Sequence, residues 1–494
     1  MDRVNILDFG AMSGGKVDCS SFIQAAIDSV ADTGGIVSIP SGLFRMEKGV
    51  TIPMGVTVEG FTDATTGPWQ NWLDSQDKGG SIAADFHLGS HGSNWADPLL
   101  FKGSWILACN GIGDTDAPPT FRLEGNSTIR KLGFVHSSQP PVTSSLTPCP
   151  PAIGAYSSLD LEKTRDGITV EDISLANPYI GIAFVIGSRI EDPYLGAMEN
   201  NVTRSFGRHR IHNVMGGPLH TGILIKGLLD TVDIANIQFN YSNYEHSYVK
   251  TRMQTATDFH FIRADGMNIQ NVLSFGAYRG LCTQPGYGSR NVSLRAVNIN
   301  IESMIPIMLE ANGMYEISNS YFLMVNFAGY NTSKKSACVD INSDPDCPHQ
   351  SVYLFNNCFF QNSIPCDIRE NAGAVDDVDD TVIRIHFTAS HHISFGNCMF
   401  WGWGAFGRKT PVVSFTHSHG GLPTCSFRGC TWNSESFNGS LAELQGDKAS
   451  AGVLVFSDCR FPYSLELPTD RRIWLKSCIV ANRDGSYKLL DQIS

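Results

Sequence analysis

The chain has 494 residues, 42% of them hydrophobic, with 48 Gly, 23 Pro and only 17% charged residues, so it reads as a folded and turn-rich protein. A net charge of −12, with 36 Lys and Arg in all, argues against a nucleic-acid partner, and no run of about 18 apolar residues marks a membrane span. Thirteen cysteines, an odd number without Cys-x-x-Cys or zinc spacing, fit a reducing compartment, and Met1 leads into patterned sequence without an apolar signal segment. The expectation is a cytoplasmic protein; the alternative is secretion after removal of a leader.

The first predicted elements lie in "VNILDFGAMSGGKVDCSSFIQAAIDSVADTGGIVSIPSGLFRM", Val4 to Met46. Ile23, Ala26, Ile27 and Val30 repeat at helical spacing and form one apolar stripe. Ser21 and Gln24 fit a capping box and Gly34 a C-terminal stop. After this helix the pattern turns to short β-branched strands punctuated by Gly and Pro, so the helix reads as a lid on a β structure.

The strands repeat. "STIRKLGF", "ITVEDISL", "HRIHNVM", "VDIANIQF", "MNIQNVLSF", "YEISNSYF", "VYLFNNCFF", "HISFGNCMF", "CSFRGCTW", "LVFSDCRF" and "IWLKSCIV" share one design: an alternating strand, a small or polar corner residue, an inward position, then an apolar one. Cys358, Cys398, Cys430, Cys459 and Cys478 share one site, at separations of 40, 32, 29 and 19 residues. Many coils add a strand such as "GILIKG", "FHFIRAD", "PIMLEAN" or "ACVDINS". Constant strands with variable inserts describe an all-β, right-handed parallel β-helix (a solenoid) with an N-terminal capping helix over residues 1–60, read as a single domain spanning 1–494. The aligned Cys then form a buried stack and the aligned Asn occupy left-handed corners.

The opening segment, with its Asp-Phe-Gly-Ala, Gly turn, Ile-Gln-Ala-Ala-Ile helix and strand ending in Ile-Pro-Ser-Gly, resembles the N-terminal part of pectate-lyase-superfamily, glycoside-hydrolase-28-like β-helix proteins. It departs at Cys19 and Ser20, where that family more often carries Asp and Thr. The resemblance implies a carbohydrate-active enzyme and a homotrimer, but supplies no catalytic residues, because the polygalacturonase motifs are absent from this chain.

Inserts at 61–105, 137–156, 186–217 and 240–258 are the expected binding loops. Trp69 and Trp72 offer flat faces for sugar rings, or else form the core of their own insert, and Tyr244 sits in the fourth insert. Cleavage of a glycoside commonly requires two carboxyl groups across the bond. In "TDFHFIRADG", Asp258 and Asp265 form the first candidate acid/base pair, with His260 and Arg263 between them to bind substrate. Seven positions at about 3.3 Å each lie too far apart on a straight strand, so this pair requires a bend. Glu310 in "PIMLEAN" is the substitute acid, Asp340 and Glu370 end comparable strands, and Arg279 in "AYRGL" adds a substrate-binding cation. Asp376, Asp377, Asp379 and Asp380 supply oxygen atoms suited to Ca²⁺ but match no defined loop, so no metal or other cofactor is expected. The function expected is a glycoside hydrolase or intramolecular glycosyl transferase acting on an oligo- or polysaccharide. The alternatives are a polysaccharide lyase and a non-catalytic carbohydrate-binding spike or adhesin.

Overall fold

A computed structural model of the chain describes residues 2–62, 103–139, 146–157, 166–186, 206–228, 230–240, 246–286, 291–325, 336–343, 350–362, 381–387, 391–402, 411–417, 424–433, 440–445, 453–462, 470–482 and 484–492. The chain divides into two compact units, Met1–Asn268 and Ile269–Ser494. Each is built from coils of a right-handed parallel β-helix, its strands hydrogen-bonded in register to like strands of the coils before and after.

The local cause is one corner. In the first unit Lys131, Asp172, Asn213 and Asn236, and in the second Asn271, Asn298, Asn319, Asn357, Asn397, Asp458 and Ser477, all hold φ between 52 and 58°. These are the aligned corner positions of the sequence repeat, and Gly429 fills the same position at φ 64°. Asn adopts this left-handed geometry most readily among residues with a side chain. Its amide also links successive corners: Asn298 donates to Asn271 at 2.8 Å and Asn357 to Asn319 at 3.2 Å.

With the corner fixed, interior positions stack. The first unit carries an aliphatic column, Val37, Val58, Ile129, Val170, Ile211 and Ile234, paired residue to residue. The second is aromatic: Phe355, Phe395, Phe427 and Phe456 lie face to face at 4.9, 4.7 and 4.8 Å. Beside them run the five aligned cysteines, each at most 2% exposed. Each thiol donates to a carbonyl of the preceding coil, from Cys358 to Ile317 at 3.6 Å through Cys478 to Phe456 at 3.4 Å. Burial pushes the neighbouring Cys425 thiol and that of Cys338 well up, so these sulfurs behave as small apolar groups.

The helix Ser20–Asp28 buries the expected stripe, Ile23, Ala26, Ile27 and the following Val30, and caps the first coil. The expected capping box does not form. The helix begins two residues earlier, with Cys19 at the N-cap, and Asp18 accepts from the Ser20 backbone N–H at 3.0 Å, while Gln24 turns sideways to bond both backbone groups of Thr51. At the other end of the second unit, Tyr487–Gln492 pairs antiparallel to Ile473–Ala481 and ends the parallel series. Trp105 belongs to the core, packed with Leu43, Leu107, Val135 and Ala176; a Cβ on Gly133 would lie 2.4 Å from its ring.

Two predictions follow from these features. Asn357→Ala keeps a Cβ in the left-handed corner but removes the amide that makes that geometry tolerable and bonds Asn319, and should lose about 1–2 kcal/mol of stability, whereas Asn357→Gly should lose clearly less. Urea midpoints of the two variants check this. His136 and His209 are buried neutral, with burial lowering each pKa to about 4. Between pH 6.5 and that value the unfolded chain takes up protons that the folded one refuses, so stability is full at neutral pH and falls on acidification, by up to about 1.4 kcal/mol per pH unit for each histidine. Melting curves from pH 7.5 to 5 should show this slope, and a His136→Gln/His209→Gln variant should flatten it.

Candidate active site

In the first unit the strand Thr257–Ala264 runs without interruption from beside Asp258 to beside Asp265. The chain turns at Arg263, whose φ is 45°, but the five positions from Asp258 to that turn already span roughly 16 Å, so the turn does not bring the two backbone positions close. Asp258 is fully buried and accepts from Arg252 Nη2 at 2.8 Å, itself a fully buried guanidinium on the helix His246–Thr255 that also donates to the Pro218 carbonyl. This is a structural ion pair, and it corrects the reading of Asp258 as a group facing substrate. Asp265 is 40% exposed; burial raises its pKa against the opposing pull of Arg263, 3.7 Å away. Arg263 is almost wholly buried and held at φ 45°, so its side chain braces the strand end instead of reaching into solvent. His260 is half-buried opposite Leu224.

Part of the outward side of these strands is apolar. Tyr156, Ile180, Ala183, Val185 and Leu224 form one buried apolar cluster, with Tyr179 and Ile262 packed on it. His260 and the buried Lys226 share that side of the strands.

The second unit differs. In Asn291–Leu309, Val339–Asn342 and Ile383–Phe387 the inward residues Ile307, Leu309, Val339, Ile341, Ile383 and Ile385 are buried, and the alternating positions face out. Beside Met308 on the first strand, those outward positions are polar: Glu310 just past the first strand, Asp340 and Asn342 on the second, Arg384 and His386 on the third. Glu310 accepts from Gln284 Nε2 at 2.9 Å, and Asp340 is met by Arg384 Nη1 at 2.9 Å, with the second arm of the guanidinium on the Ser336 carbonyl at 3.1 Å. Leu309 pairs with Ile341, which sets Glu310 diagonally across from Asp340. One rung of about 4.8 Å and two residues of about 3.3 Å separate them by roughly 8 Å. Arg279 lies over the Tyr278 ring at 5.5 Å, and Arg279 and Glu310 exert opposite pulls on Cys282, whose thiol burial pushes up to about 12.

The structure therefore brings Glu310 and Arg279 into one neighbourhood and adds Asp340 and Arg384, whose pairing the sequence spacing did not reveal. Trp69, Trp72, Tyr244, Glu370 and the Asp376–Asp380 run lie outside the described residues. The buried pair in the first unit is open to test. Asp258→Asn removes the carboxylate charge that Arg252 meets and should cost about 3–5 kcal/mol, while replacing both residues together, Arg252→Met with Asp258→Leu, should recover most of it. Wild-type melting of Asp258→Asn would contradict the assignment.

No family model matches the chain, and no curated protein matches it in sequence. Solved structures do match. DFA-IIIase from Arthrobacter chlorophenolicus in complex with DFA-III is 13% identical, covering 100% of this chain and 99% of its own, with a TM-score of 0.51. The same enzyme without its lid is 12% identical over 98% and 97% of the two chains at a TM-score of 0.49, and the A-module of a mannuronan C-5 epimerase from Azotobacter vinelandii is 10% identical over 97% and 99% at 0.48. The chain thus has the right-handed parallel β-helix fold found in DFA-IIIase, the architecture that its opening motif implies.

Proposed function

We propose that the protein is a carbohydrate-active enzyme that cleaves or rearranges a glycosidic bond on the outward face of the second unit, with Glu310 and Asp340 as its carboxyl pair. One observation carries this reading: on consecutive rungs of the second unit the outward strand face presents two carboxyl groups, a guanidinium and an imidazole. Backbone positions roughly 8 Å apart allow the two side chains to reach the separation of about 6.5–9.5 Å between carboxyl groups that leaves room for a water between acid and base.

In this scheme Glu310, oriented by the Gln284 amide, gives its proton to the leaving glycosidic oxygen. Asp340, its negative charge compensated by Arg384, takes a proton from the water or sugar hydroxyl that attacks the anomeric carbon from the opposite face. The bond to the leaving oxygen breaks as the new carbon–oxygen bond forms, and inversion of configuration results. Lyase chemistry fits less well, because it requires a cation free to neutralise a uronate carboxylate, and Arg384 is engaged by Asp340 and Ser336. DFA-IIIase, solved with DFA-III, shows the same fold in a saccharide context but lends no residues to this assignment.

The test is product analysis on fructans, glucans, alginate and pectins by reducing ends, mass and anomeric proton signals. Glu310→Gln and Asp340→Asn should each lower turnover by about 10²–10⁴-fold, with thermal stability kept in Glu310→Gln. Wild-type turnover in both variants would refute the pair. Saturable glycan binding without any product would favour the spike reading, and absorbance from unsaturated uronates would favour a lyase.

A further inference from the structure

A different face of the second unit carries chemistry that the proposed cleavage site does not use. The strands that follow the corner are Asn300–Ser303 within Asn291–Leu309, then Tyr321–Met324, Phe359–Asn362, Met399–Trp401 and Thr431–Asn433. Their inward residues, Phe322, Phe360, Phe400 and Trp432, stack in the core at 5.4, 5.1 and 4.9 Å. Their outward residues form two rows fixed by register. One reads Asn300, Tyr321, Phe359, Met399, Thr431; the other Glu302, Leu323, Gln361, Trp401, Asn433.

An outward row normally carries polar residues, yet here Tyr321 lies 5.3 Å from Phe359, and Phe359 stacks on Trp401 at 6.1 Å. The stack ends in water: Trp401 is 45% exposed and Met399 43%. Polar groups border it. Tyr321 donates its hydroxyl to Gln361 Oε1 at 2.7 Å, Glu302 is half-buried beside Asn300, and the buried Asn300 Oδ1 meets no hydrogen-bond partner among the described residues. A flat apolar platform edged by amide and carboxyl acceptors matches the mixed character of a pyranose or furanose ring, with C–H groups on its face and hydroxyls on its rim. Charge narrows the ligand. From Asn300 to Asn433 the two rows contain no Lys, Arg or His, and Glu302 is their one carboxyl group. The next rung of the first row, paired with Thr431, is Arg460, whose guanidinium lies over the Tyr487 ring at 4.9 Å, so a uronate polymer would meet a cation only at that end of the platform.

We propose that this face, with Trp401 as its stacking platform and Gln361 as its polar contact, is a second carbohydrate site that holds a neutral glycan chain apart from the cleavage site. Wild type, Trp401→Ala, Gln361→Ala and Glu310→Gln proteins should be run through native gels cast with inulin, a neutral β-glucan or alginate. The expected result is retardation by a neutral glycan, weakened roughly tenfold in Trp401→Ala, the weight of a lost aromatic stacking contact, and kept in Glu310→Gln. Trp401→Ala should keep the wild-type melting temperature and its turnover of short oligosaccharides. The inference is overturned if Trp401→Ala and Gln361→Ala are retarded like wild type, if wild type is retarded by alginate alone or by nothing, or if Trp401→Ala lowers the sedimentation coefficient, which would mean that a second copy of the chain covers this face.

Discussion

The structure depends on a single backbone constraint, the left-handed residue at the corner of each coil. A parallel rung bonds only to rungs of the same phase, so a corner that turned one residue early would send every following side chain to the wrong side of its sheet. Asn213 and Asn236 in the first unit, and Asn271, Asn298, Asn319, Asn357 and Asn397 in the second, hold that phase. The stacked phenylalanines and thiols then follow, since residues at equal distance from the corner meet from coil to coil.

The same constraint shapes where chemistry can arise. Inward positions are committed to packing, so function has only outward positions and inserts to work with. The first unit uses part of its outward face for more packing and places charges where they neutralise one another out of contact with water, as Arg252 and Asp258 do. The second keeps Glu310, Asp340, Arg384 and His386, each partly exposed, on consecutive rungs of one face.

Much of this was legible from residues at fixed offsets. The corner positions, the cysteine column and the apolar stripe of the first helix all follow from spacing alone, because local periodicity and local φ preference cause them. Other features depend on partners distant in sequence or off the repeat. Asp258 reads as a free acid until Arg252, on a helix with no apolar periodicity, is seen to bury against it. Ser21 looked like a cap, but Asp18 reaches the helix N-terminus first. The diagonal of Glu310 and Asp340 was latent in the alignment of "PIMLEAN" with "ACVDINS", and became a pair only once the register Leu309 to Ile341 was known. Tyr321, Phe359 and Trp401 are one more aromatic alternation in the sequence; only strand register shows that they point away from the core.

The most direct test of this account is a crystal structure of Glu310→Gln soaked with an uncleaved oligosaccharide drawn from the wild-type substrate panel. The account predicts a glycosidic oxygen within hydrogen-bond distance of residue 310 and the anomeric carbon facing Asp340 across one water. A sugar bound solely against the first unit, or on the second unit with neither side chain near a glycosidic bond, would contradict it.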